Sequence, residues 1–162
     1  MTGITRSTSM AGGATVPTTA GVPSVQTFAL TDGEGAVLTT TAAQNTAATL
    51  ITAVGVTTTQ TSDDQTNLNG SLVTVVLDMT TVGTGSVTLS IQGKDPASGK
   101  YYTLLSGAAV TTNSTNVYAV YPGAPATANV SANAVLPKTW RVQVVAGNAN
   151  ATSYTVGASV NV

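Results

Sequence analysis

The chain contains no cysteine and no histidine. The first absence removes disulfides, thiolate nucleophiles and thiolate metal ligands. The second removes the imidazole base and the commonest transition-metal ligand. Most hydrolytic mechanisms are excluded with them. Charge is also scarce: 7% of residues are charged, against about 25% in ordinary soluble domains. The five cations (Arg6, Lys94, Lys100, Lys138 and Arg141) form no run. Binding to nucleic acid by phosphate neutralisation is therefore not expected. Aromatics are few, with one Phe (Phe28) and one Trp (Trp140). No stretch approaches 18 apolar residues, so no membrane span is expected. The first residues carry one Arg and no apolar run of seven or more, so no signal peptide is expected.

Thr fills the gap, at about a fifth of the 162 residues. Ser, Asn, Gly and Ala supply most of the rest. The surface this builds is polar but nearly uncharged, with little long-range field. The core must come from small side chains, mainly Val, Ala and Leu. Such a core buries less area per residue, and stabilisation follows area at about 25 cal/mol per Å². A domain of this size built that way gains from burial against a partner.

Three segments follow from the pattern. Residues 1–26 hold Thr, Ser, Gly and Pro with no period, and Pro17 and Pro23 favour extended backbone. This is read as an extended N-terminal arm. Residues 27–49 form a connecting segment. Its first part suits a short hairpin around Asp32-Gly33-Glu34-Gly35. The Ala-rich part from Ala42 to Leu50 suits a helical turn, though dense Thr argues against a long helix.

Residues 50–162 alternate in the manner of strands. Val73, Val75, Leu77 and Met79 share one face, and Leu72, Thr74, Val76 and Asp78 the other. Val87, Leu89 and Ile91 point in. Asp95-Pro96-Ala97-Ser98-Gly99 is a turn: Pro96 presets φ, Asp95 bonds the backbone ahead of it, and Gly99 takes φ > 0. Tyr101 to Leu105 leads out of that turn. Thr115 to Tyr121 is a strand that ends at Pro122-Gly123. Thr139 to Val145 alternates with Trp140, Val142 and Val144 inward, and a last strand covers Ser153–Val162. About seven short strands at such spacing predict an all-β fold, a single β-sandwich of jelly-roll or Ig-like type. Trp140, Val142, Leu77, Leu89 and Ile91 are the expected core.

Chemistry must come from carboxylates alone: Asp32, Glu34, Asp63, Asp64, Asp78 and Asp95. A glycosidase needs two that face each other. The close pairs here sit in expected turns, where Asp caps the backbone, so no enzyme, no catalytic residue and no cofactor is expected. Asp63, Asp64 and Asn67 form no recognised Ca²⁺ loop, and no metal site is assigned. The alternative chemistry is sugar stacking on an exposed row drawn from Tyr101, Tyr102, Tyr118 and Tyr121. Arg141 lies opposite the Trp140 face, exposed or paired with Asp78 or Asp95.

Several blocks carry a resemblance. They are SDDQTN (Ser62–Asn67), GSLVTVVLDMT (Gly70–Thr80) and GSVTLSIQGKDPASGKYYTLL (Gly85–Leu105), then VYPG (Val120–Gly123), LPKTWRVQV (Leu136–Val144) and YTVGASV (Tyr154–Val160). In order and spacing they resemble small head-decoration or minor capsid proteins of tailed bacteriophages. The resemblance covers about residues 50–162 and no catalytic motif. It implies a structural virion protein on the outer surface of the head, which binds the major capsid protein and reinforces the assembled shell as a homotrimer. The arm, with Ile4, Arg6, Val16 and Pro17, would then contact the capsid or a neighbouring subunit. The alternatives are a carbohydrate- or surface-binding module, or a tail or neck protein.

Overall fold

The computed structural model describes residues 30–31, 37–38 and 46–162. The chain divides into two units, Met1–Thr40 and Thr41–Val162. In the first, β1 (Leu30–Thr31) pairs antiparallel with β2 (Val37–Leu38), with Leu30 opposite Leu38. Ile4, Arg6, Val16, Pro17 and the rest of the expected arm lie outside the described residues.

The second unit is all strand, with no helix among the described residues. Its strands are β3 (Thr46–Val56), β4 (Gln60–Thr61), β5 (Gln65–Thr66), β6 (Leu72–Thr81), β7 (Val87–Lys94), β8 (Tyr101–Ser106), β9 (Thr115–Tyr121), β10 (Ser131–Asn133), β11 (Thr139–Ala146) and β12 (Thr152–Asn161). They form two five-stranded sheets. The first has the order β10-β9-β6-β12-β3. All its pairs are antiparallel except β10 with β9. The second has the order β4-β11-β7-β8, with β5 also on β11, and is antiparallel throughout. Along the chain the strands cross repeatedly between the sheets: β3 in the first, β4 and β5 in the second, β6 back in the first.

The sheets pack through their alternating apolar faces. From the first come Val73, Val75 and Leu77 on β6, Val120 on β9 and Val156 on β12. From the second come Leu89, Ile91, Trp140, Val142 and Val144. All belong to one hydrophobic cluster, so the fold is a β-sandwich. Each fully buried Val, Leu or Ile contributes about 1.5–3 kcal/mol. Trp140 and Tyr154 are the largest buried side chains and compensate for the small residues around them.

Turn chemistry sets the hairpins. In the β7–β8 turn the Ala97 N–H donates to Asp95 Oδ1 at 3.0 Å and the Ser98 N–H to Oδ2 at 3.2 Å. Gly99 has φ +70°, which a side chain would resist. The hydrogen bonds from Ser98 and Ala97 hold the Asp95 carboxyl below its usual range.

One expectation fails. Thr46 to Leu50 is strand, not a helical turn. The cause is β12, whose residues from Gly157 to Val160 pair with Thr49 back to Thr46. Tertiary pairing overrides the local Ala content there.

Candidate partner-docking face

The outer face of the second sheet brings Lys94, Arg141 and Asp64 together. Because Trp140, Val142 and Val144 point inward, Arg141 and Gln143 point outward. The register sets Arg141 opposite Gln92 on β7. One step on, Lys94 lies opposite Tyr101 on β8.

β4 and β5 supply the remaining member. They flank a break in the edge of the sheet, and Ser62 bridges it. The Ser62 N–H donates to the Val142 carbonyl at 2.9 Å. The Val142 N–H donates in return to Ser62 Oγ at 3.0 Å. A side-chain oxygen thus replaces a backbone carbonyl in the ladder. The chain then leaves the strand path at Asp63 and Asp64 before rejoining at Gln65.

Asp64 closes the network. Lys94 Nζ lies 2.7 Å from its Oδ2, and the Tyr101 hydroxyl donates to Oδ1 at 2.6 Å. The Arg141 guanidinium stacks on the Tyr101 ring, 3.3 Å from the centroid, and Lys94 Nζ lies 5.3 Å from it. Arg141 Nε donates to Gln92 Oε1 at 2.8 Å. Gln92 Nε2 donates to Gln143 Oε1 at 3.3 Å, and Gln143 Nε2 to Thr61 Oγ1 at 3.4 Å. One chain of contacts therefore links β4, β11, β7, β8 and the Asp64 loop.

The electrostatics match. The hydrogen bond from Lys94, then that from Tyr101, lowers the Asp64 pKa. The hydrogen bond to Asp64 raises that of Lys94. Asp64 therefore stays ionised with both oxygens occupied, an arrangement that holds charge in place. The pair is solvent-exposed, with about a third of each side chain accessible, so it adds little to stability. It fixes side-chain positions on a face that meets solvent.

Arg141 was expected to be exposed or to pair with Asp78 or Asp95. It does not pair with either. Asp78 lies on β6 in the other sheet and accepts from Thr115 Oγ1 at 2.8 Å. Asp95 is consumed by its own turn. Nor do the four tyrosines form one row. Tyr118 and Tyr121 belong to β9 of the first sheet, and Tyr118 is 4% exposed. Tyr102 covers Gly93, where a Cβ would meet the ring at 2.6 Å. Asn67 does not join Asp63 and Asp64. Its amide donates to the carbonyls of Gly70 and Leu136 and accepts from the Gly70 N–H at 2.7 Å. Among the described residues no three His, Cys, Asp or Glu side chains group together.

Sequence reasoning missed Ser62, Gln92 and Gln143 as members of this face. Outward phase marks the two glutamines as exposed. Their union with Arg141 depends on register between distant strands.

No protein-family model matches the chain, and no curated protein matches it in sequence.

Proposed function

We propose that the protein is a structural virion protein that binds the outer surface of an assembled phage capsid and reinforces it. The observation that carries this reading is the interlocked outer face of the second sheet. Its centre is a stacked Arg–Tyr pair, and Arg and Tyr are among the residues that dominate protein interfaces. Tied side chains lose less entropy when a partner docks. The strand order supports the same reading. We read the order β3-β12-β6-β9 against β4/β5-β11-β7-β8 as that of a jelly roll, a fold recurrent in capsid and lectin domains. Fold alone does not assign function, so the face and the block resemblance carry the argument. A homotrimer on the head exterior, with the arm reaching the capsid or a neighbour, completes the proposal. The separation of the tyrosines over two sheets weighs against the sugar-stacking alternative.

The test is co-sedimentation of purified protein with undecorated shells and with free capsid subunits. Binding to shells alone is expected, since a ligand that binds only the assembled state stabilises it by mass action. Decorated particles should then retain DNA longer under heat or osmotic shock. Failure to sediment with shells, or equal survival of bare and decorated particles, overturns the proposal.

A further inference from the structure

Arg141 is held by two contacts, one on its flat face and one at Nε. Its flat face rests on Tyr101, 3.3 Å from the ring centroid. Its Nε is spent on Gln92 at 2.8 Å. Asp64 neutralises Lys94 and accepts from Tyr101, so both its oxygens are taken. The ion pair of Asp64 and Lys94 is the one found among the described residues, and the two Nη groups of Arg141 make no hydrogen bond there. A guanidinium fixed by stacking and by Nε presents its remaining donors as a rigid fork. That fork matches the two oxygens of a carboxylate.

We infer that Arg141 anchors this face by taking, on its two Nη groups, the carboxylate of an acidic side chain from the docking partner. The inference rests on the docking reading above and names the chemistry of the partner. The local charge selects the ligand. Lys94 and Asp64 cancel, leaving Arg141 as a single positive charge. Such a site suits one monoanionic carboxylate. A phosphate polymer would need several cations in a row. Lys100 and Lys138 take no part in the network.

The experiment has two arms. In the first, ¹⁵N spectra of the Arg Nε groups are followed while acetate is added, with chloride at matched ionic strength as control. The chain has two arginines, Arg6 and Arg141, so Arg6 is an internal reference. A saturable shift at Arg141 with acetate, absent with chloride and absent at Arg6, is expected. In the second arm, Arg141→Ala and Arg141→Lys are compared with the parent for binding to undecorated shells. Both should bind at least about tenfold more weakly, the scale of a lost charge-assisted hydrogen bond. The Lys variant keeps the charge and loses the fork, and an unchanged amide spectrum shows it is folded. No saturable acetate shift overturns the inference whatever the shells do. Equal shell binding by Arg141→Lys overturns it for the partner. A clear acetate shift in a parent protein that ignores shells leaves the carboxylate site standing and sinks the docking reading.

Discussion

β3 ends the first sheet with eleven residues in sequence, Thr46 to Val56, whereas β4 and β5 end the second with two residues each. No charged residue occurs between Glu34 and Asp63, so β3 carries none. The edge of the second sheet breaks at Ser62 and turns outward at two carboxylates. The outer faces differ in the same sense. On the first sheet lie Ala47 and Thr49 of β3, exposed, and Gly157 and Ser159 of β12, half-buried, all of them small. On the second sheet, long polar side chains are tied to one another across four strands. An open strand edge invites pairing with another strand, and breaks, bulges and charge are the usual guards. The second sheet uses a break and charge. The first relies on bulges: the register slips at Leu50 and again between Ala53 and Val56, where Gly55 has φ +60°. Protection by backbone shape leaves the side chains free to be Thr and Ala. Protection by charge also builds a face with a defined chemistry.

The comparison breaks most readily at Trp140, which ties the second sheet to the core at 2% exposure. Trp140→Ala should cost about 3–5 kcal/mol in denaturant unfolding. Trp140→Phe should cost clearly less, because the buried Nε1 has no hydrogen-bond partner to lose. Next comes the edge itself. Ser62→Ala leaves the Val142 N–H without its acceptor and should cost about 1–3 kcal/mol, with amide exchange at Val142 speeding up as the check.

Titrations separate the two sheets next. Burial pushes the Tyr154 hydroxyl, on β12 of the first sheet, up to about 12. A raised pKa means that its stabilising contribution is complete below the ordinary tyrosine value, about 10, and fades as pH rises towards 12. In absorbance titration of phenolate, Tyr154 should therefore lag, and Tyr118, whose pKa burial also raises, should lag with it. Asp64 runs the opposite way. Its pKa is lowered, so its contribution is present above the unfolded carboxylate value and fades as pH falls through the folded one. Its carboxyl ¹³C midpoint should lie below the usual range and move back up in Tyr101→Phe. Smallest is Thr49→Lys on the exposed part of β3, expected to change stability by no more than about 0.5 kcal/mol. If light scattering shows that the parent self-associates and this variant does not, the bulges alone are not guarding that edge.

Much of the sandwich was legible in the sequence. Period-two alternation on β6, β7 and β11 named Val73, Val75, Leu77, Leu89, Ile91, Trp140, Val142 and Val144, and all are buried. The Asp95–Gly99 turn followed from residue chemistry that acts within a few positions. β3 was not legible because its bulges interrupt the alternation, and its Ala and Thr content favours nothing strongly. The Arg141 network was not legible because it depends on which strands become neighbours. Arg141 meets Gln92 through register, 49 positions away, and Asp64 meets Tyr101 across 37. Local propensity contains no information about such meetings, so the nearest plausible carboxylates, Asp78 and Asp95, stood in for the true partners.

β12 sits inside its sheet, with β3 on one flank and β6 on the other, and Thr46 waits for Val160. Translation delivers about 5–20 residues per second. For on the order of ten seconds, then, a nascent chain holds two long strands with the slot between them vacant. Non-local pairing of this kind folds slowly. During synthesis the hazard for the uncharged β3 is premature capture by another nascent chain, and the arrival of β12 ends it.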